Sequence, residues 1–395
     1  MARAARSKSV QDLRSRAETS VRGIFLGQSR LFYQVLGLVL FLVAFGLVMV
    51  LSSSSIDSIK AGNSGFSLAG KQLLFAVLGF IGLMFMIRIP LSWIRSKLMV
   101  AWMGGVVLQL LTVFVIGTEI NGNRNWINLG FFSIQPSEIL KLLMILLIAE
   151  LLIQNQDELE WNPKAWGKIA LISGVSIAVV VFGKDMGTAI VMALILLGMF
   201  VLFGMPRTLA FWALIGGSLL AIIGVMSTAS RRLRIMAWLN PGAPDPFDFN
   251  WQQEHATWAF AAGGFTGVGI GQSKLKWSWI PEAQNDFIFA IIGEEMGLIG
   301  AMTVIILFVV LIYKLIRIAN ESRSLYNRLV VLGVMVWIGV QAIINIAVVL
   351  GLLPVLGVPL PLISYGGSSL VMLLLAAGLV LGIERDSHLG PKVVR

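Results

Sequence analysis

Ten long apolar blocks separated by polar connections leave this chain one environment to fold in. They lie at roughly 32–52, 70–88, 98–117, 138–153, 166–182, 186–203, 208–226, 286–316, 328–352 and 365–383. Each is close to the ~20 residues that an α-helix needs to cross a hydrocarbon core about 30 Å thick. With 57% of residues hydrophobic and only 13% charged, a water-soluble core does not read this way. Lipid cannot satisfy backbone polar groups, so each block must satisfy its own as a helix. The expected fold is an all-α polytopic membrane protein of about ten transmembrane helices, with a large extracellular loop (227–285) between the seventh and eighth.

Basic residues in the short connections set the orientation, because Lys and Arg collect on the cytoplasmic side. The first 31 residues carry Arg3, Arg6, Lys8, Arg14, Arg16, Arg22 and Arg30, the second connection Arg88, Arg95 and Lys97, and the eighth Lys314, Arg317, Arg323 and Arg328. The connections 53–69 and 351–364 are nearly free of such charges. Both termini are therefore expected in the cytoplasm. Residues 1–31 read as a disordered basic arm, 32–383 as the membrane domain and 384–395 as a short cytoplasmic tail. The block 32–52 is too long for the apolar core of a signal peptide and reads as a retained first helix.

The net charge of +10 divides between the arm and the outer loop. The arm suits anionic membrane lipids better than nucleic acid. The chain has no cysteine and only His255 and His388, which rules out disulfides, thiol chemistry and any His-rich metal site. No metal ligand set is assigned, although a divalent cation beside a phosphorylated substrate stays open.

Two features depart from a simple bundle. Only Gly183-Lys184-Asp185 separates blocks five and six, so that turn lies at or below the outer surface, where irregular backbone must face protein or a wet cavity. The eighth block is about 46 Å long as a continuous helix, more than the membrane requires. Asp286 opens it near the outer interface, and Glu294 and Glu295 follow about 12–13 Å deeper. Acids at such depth are expensive and mark functional sites by default.

The outer loop supplies Arg231, Arg232 and Arg234, a Pro-rich stretch at 240–246, the run Gly263-Gly264-Phe265-Thr266-Gly267-Val268-Gly269-Ile270-Gly271, and then Lys274 and Lys276. Glycines let backbone amides approach an anion and cations supply charge, so a phosphate-bearing ligand fits; flexible turns explain the glycines equally well. Structural roles stand beside chemical ones elsewhere. Asp286 is either a helix cap or a reactive group. Glu138 and Lys141, three apart, either neutralise each other or serve a substrate. Glu294 and Glu295 either pair with Arg124 or Lys184 or line a cavity. Lys184 and Asp185 close their own turn, residues 366–369 pack helices closely, and His255 is a polar loop residue.

Taken together, Asn121-Gly122-Asn123-Arg124-Asn125-Trp126-Ile127, Gln135-Pro136-Ser137-Glu138 with Lys141, Asp185-Met186-Gly187-Thr188, Pro281-Glu282-Ala283-Gln284-Asn285-Asp286-Phe287-Ile288-Phe289-Ala290 and Pro361-Leu362-Ile363-Ser364-Tyr365-Gly366-Gly367-Ser368-Ser369 resemble the SEDS family of bacterial shape, elongation, division and sporulation proteins. The likeness runs from about residue 32 nearly to the end. The basic arm, Lys276-Trp277 and the Ser-rich first outer loop look more like the division branch than the elongation branch. Asn285 stands where threonine is common, Gln284 where many members have His, and Val358 where a small or hydroxylated residue is usual.

The resemblance implies a peptidoglycan glycosyltransferase in the bacterial cytoplasmic membrane, at the division septum, that polymerises lipid II on the outer face. Its implied partners are a class B penicillin-binding protein (an FtsI-like transpeptidase) and other divisome membrane proteins. The family's essential acid maps onto Asp286, the candidate general base. Arg231, Arg234, Lys274 and Lys276 are candidates to hold pyrophosphate, and Arg124, Glu138, Lys141, Glu295 and Ser368 complete the substrate-binding candidates. An elongation-type polymerase, a transporter of the lipid-linked precursor and a non-catalytic scaffold for the penicillin-binding protein are the alternatives. Charges gathered toward the outer side disfavour a path across the bilayer.

Overall fold

The computed structural model describes residues 27–120, 122–130, 132–226, 229–240, 250–277 and 279–389. Most of the basic arm, most of the Pro-rich stretch and the last residues of the tail lie outside the described residues. Every expected span falls on a helix: α1 (Arg30–Lys60), α2 (Ser67–Arg88), α3 (Leu91–Leu111, continued by a π turn to Ile116), α4 (Pro136–Gln154), α5 (Pro163–Phe182), α6 (Met186–Phe203) and α7 (Arg207–Met226). After α8 (Ala229–Leu239) and α9 (Trp251–Gly263) in the long connection come α10 (Ile288–Glu321), α11 (Leu325–Val349) and α12 (Gly367–Leu389). Among the described residues nine helices are long and apolar enough to cross a membrane. The expected tenth is α4, equally extended but carrying Glu138, Lys141 and Glu150.

Lipid tails give little hydrophobic drive for one helix to join another, so small residues that allow close approach hold such bundles together. On α12, Gly378 lies so near α2 that an added Cβ would meet the Leu83 carbonyl at 2.5 Å; on α2, Gly79 leaves the same little room at Leu374. Gly367 abuts the Phe75 ring, as expected of a packing position. Helix α11 runs through the core with Trp337 fully buried. Helix α7 lies at the periphery with no residue buried.

The helical membrane fold carries one addition, and two expected helix bounds need correction. To the helices the structure adds β1 (Thr118–Ile120), β2 (Asn123–Asn128) and β3 (Ser133–Ile134), a small antiparallel sheet in the connection between α3 and α4. The last helix continues through Leu389 instead of ending at 383. The eighth block is not one uninterrupted helix opened by Asp286, because α10 begins at Ile288 and breaks at Gly297, where φ 65° and ψ −165° are tolerated almost only by glycine.

The Gly-rich run repairs that break. Val268 and Gly269 donate to the carbonyls of Glu294 and Glu295 at 3.0 Å each, and Leu298 and Ile299 donate back to Gly264 (2.9 Å) and Phe265 (3.2 Å). Gly267 sits against this break at φ 83°, where an added Cβ would strike the Glu295 backbone. These glycines staple the outer loop into a broken helix. The amides of Val268 and Gly269 are occupied by carbonyls, which favours the turn reading of this run over the anion reading.

Candidate functional site at the outer end of the bundle

All five odd-numbered connections meet at one end of the bundle. Arg124 N donates to Gly183 O at 3.0 Å, joining the sheet to the turn between α5 and α6. Gln135 Nε2 reaches Asp185 Oδ2 at 2.8 Å, and the Gln135 amide reaches Ser368 Oγ at 3.1 Å. Tyr365 N donates to Gln284 O at 2.8 Å, and Gln72 Nε2 holds Ser364 O at 3.1 Å. Lys60 Nζ donates to Trp277 O at 3.3 Å, which brings in the first connection.

Asp286 lies at this end of the bundle, half-buried in the turn before α10. It does not cap the helix: Phe287 holds the cap position and no side chain bonds the first turn. Asn345 Nδ2 on α11 donates to Asp286 O (2.7 Å) and Val358 O (2.8 Å), tying the acid's turn to the 351–366 connection. A Cβ on Gly357 would lie 3.6 Å from Asp286 Oδ2, which shows how near that connection comes. Burial, then the charge of Glu282, then that of Asp185 raise the Asp286 carboxyl to about 7. The backbone around it is strained. Among the described residues, the non-glycine positions with positive φ are Lys184 (64°), Glu282 (51°) and Leu362 (65°), one in each of three segments at this end; such outliers cluster at functional sites.

Asp185 accepts from Thr188 N at 3.0 Å, which closes its own turn as expected, while its other oxygen serves Gln135. Arg231 on α8 donates to Lys184 O. Its guanidinium lies within the field of Asp185, and burial lowers its pKa. Arg234 and Lys274 are exposed at the same end. Arg124 directs its guanidinium to Gly117 O (2.9 Å) and Val115 O (3.4 Å), at the end of the π turn. Ser368 Oγ, besides accepting from Gln135, donates to Ser133 O at 3.3 Å.

Two acid expectations change partners or surroundings. Glu294 and Glu295 meet neither Arg124 nor Lys184 in the structure; they hold the loop. Glu294 accepts from Lys274 N at 2.8 Å and from Ser273 Oγ, and Glu295 accepts from Ser52 Oγ at 2.6 Å with Lys276 Nζ at 3.6 Å. Lys276 is not a solvent-facing cation. It is 7% exposed, and its ammonium donates to Gly271 O at 2.6 Å. Its partners come from a distant helix and a later one, invisible in the local sequence.

Glu138 and Lys141 form a buried ion pair at 2.8 Å, with side chains 4% and 3% exposed. Lys141 Nζ also lies 5.1 Å from the Trp337 ring centroid. Trp337 Nε1 donates to Gln341 Oε1 (2.8 Å), and Gln341 Nε2 donates to Pro359 O (2.9 Å). The pair, Trp337, Gln341 and Asn345 thus form a polar ladder leading to the Asp286 turn. Gln341 and Asn345 were missed from the sequence. Two amides four apart in an apolar block share one helix face, and that was the available signal.

The pattern of a family described as cell cycle protein, spanning FtsW, RodA and SpoVE, matches residues 33–389. A probable peptidoglycan glycosyltransferase FtsW of Trichlorobacter lovleyi is 34% identical over 359 residues, covering 90% of this chain and 93% of that protein. Stage V sporulation protein E of Bacillus subtilis is 36% identical over 355 residues, 88% and 95% of the two chains. Among solved structures, a chain from a peptidoglycan synthase complex that coordinates polymerization and crosslinking superposes with a TM-score of 0.75 at 27% identity, covering 91% of this chain and 98% of that one. The rod shape determining protein RodA of Thermus thermophilus shares the fold with a TM-score of 0.67 at 24% identity and the same coverage.

Proposed function

Because the chain belongs to the FtsW, RodA and SpoVE family of cell cycle proteins and is most like FtsW, we propose that it is a peptidoglycan glycosyltransferase that polymerises lipid II at the outer face of the cytoplasmic membrane, at the division septum. The observation that carries this reading is Asp286, a carboxyl that caps nothing, sits where five connections converge and is held near neutrality by burial and two neighbouring acids.

A general base works best when its pKa lies near the working pH. Asp286 takes the proton of the acceptor sugar hydroxyl as that oxygen bonds to the anomeric carbon of the donor, and undecaprenyl pyrophosphate departs with its bonding electron pair. A single displacement inverts the anomeric centre, as in inverting glycosidases. Arg231, Arg234 and Lys274 are assigned to the pyrophosphate, since cations placed where negative charge develops form a large part of catalysis. Lys276 acts through the loop it anchors. A class B penicillin-binding protein is the assigned partner, as befits the likeness to a chain of a synthase complex.

The pH dependence tests the base. A base is active when deprotonated, and a raised pKa keeps Asp286 protonated below about 7. Polymerisation should fall about tenfold per pH unit below that point. Glu282→Gln removes one negative neighbour and should move the acid limb to lower pH. An acid limb near the ordinary carboxylate range, unmoved by Glu282→Gln, contradicts the assignment.

Topology gives a second check. A reporter within 242–250 should be accessible from outside and one within 155–164 from the cytoplasm. The reverse accessibility would separate Asp286 from an extracellular precursor.

A further inference from the structure

The mechanism leaves unused an aromatic cluster fastened to the turn that carries Asp286. Trp251, His255 and Trp258 recur at helical spacing on one face of α9 (Trp251–Gly263). The His255 ring lies 4.0 Å from Trp251 and 4.4 Å from Trp258 between centroids, and Trp279 stacks on it at 5.6 Å with an interplanar angle of 17°. Trp251 and Trp279 are themselves stacked at 15°. This corrects the reading of His255 as an ordinary polar loop residue: it is 1% exposed, its Nδ1 is 2.8 Å from Trp251 O, and its Nε2 has no partner. The outer members stay open, with Trp258 56% and Trp279 49% exposed.

We propose that Trp251, Trp258 and Trp279, gathered about His255, form a platform that binds the β-linked amino-sugar strand made at the reaction site. Pyranose rings present flat C–H faces that indoles cover, and their hydroxyl and acetamido groups need a few polar partners; aromatic walls with sparse polar groups are the usual composition of such sites. Glu254, exposed on the same helix, supplies a polar group of that kind. Two bonds fasten the platform to the segment that leads to Asp286: Trp251 Nε1 donates to Trp279 O at 2.5 Å, and Gln252 Nε2 donates to Pro281 O at 3.0 Å, a few residues before that acid. A membrane anchor fits less well, because Glu254, exposed on α9, lies three and four positions from Trp251 and Trp258 and so puts a carboxylate on their face. The inference rests on the polymerase reading, since only a polymerase has a strand to guide.

The test uses the purified full-length protein and a β-1,4-linked hexamer of N-acetylglucosamine, followed by tryptophan emission. The wild type should give a saturable change. Trp258→Ala and Trp279→Ala should weaken it about tenfold or more, and Trp258→Phe should restore most of it, because one aromatic face replaces another. On lipid II the Ala variants should make shorter strands than the wild type. Asp286→Asn should bind the hexamer normally. A wild type that polymerises lipid II without a saturable hexamer signal overturns the platform and leaves the polymerase reading standing; hexamer binding without any polymer overturns the polymerase reading and the strand assignment with it. Quenching of Trp258 by brominated lipids in vesicles, unrelieved by the hexamer, overturns the proposal in favour of a membrane anchor.

Discussion

Asp286→Asn is expected to lower glycan polymerisation about 10²–10⁴-fold, the usual contribution of a positioned general base, while leaving membrane insertion and thermal stability near wild type. Asn keeps the size of Asp and cannot accept the proton. Because Asp286 bonds no amide of α10 and its turn is held through its backbone carbonyl by Asn345, the substitution removes no stabilising side-chain bond. Lipid II titration and a melting curve on the same preparation separate the two effects. Near wild-type polymerisation would sink the base assignment, leaving Glu138 or Glu295 to be tried; loss of folded protein would give Asp286 a structural role.

Lys141→Met is expected to destabilise the protein by about 3–5 kcal/mol, since it strands the Glu138 carboxylate among buried residues with its cation removed. The double variant Glu138→Leu, Lys141→Met should recover most of that loss, because replacing both members of a buried pair with apolar groups of similar volume is often nearly neutral. The activity of the double variant then decides what the pair does. A stable, active double variant makes it a structural pair under the polar ladder to Asp286. A stable, inactive one gives it a part in handling substrate. A double variant no more stable than Lys141→Met contradicts the ion-pair account.

The spans were legible in the sequence because apolar blocks are local, and the turn at 183–185 was legible because the space between two blocks admits nothing longer. The break at Gly297 was not. A lone glycine in an apolar block reads as a packing residue, and its left-handed backbone is demanded by a loop some thirty positions earlier. Lys276 followed the same pattern, since nothing near it in the chain announces Ser52 or Glu295 as its partners. Asp286 stood out as an acid at a helix mouth, but the difference between a cap and a base lay in which residue takes the cap position, and that required coordinates. Asp185 read as a turn-closing residue and is one; its influence on Asp286 comes from the convergence of separate connections.

The central claim is most directly tested by giving the purified protein, with and without a class B penicillin-binding protein, lipid II as its sole substrate and resolving the products by size. The account predicts glycan strands from the wild type and none above background from Asp286→Asn. Movement of lipid II across a vesicle bilayer without any polymer, equal in the wild type and in Asp286→Asn, would contradict it.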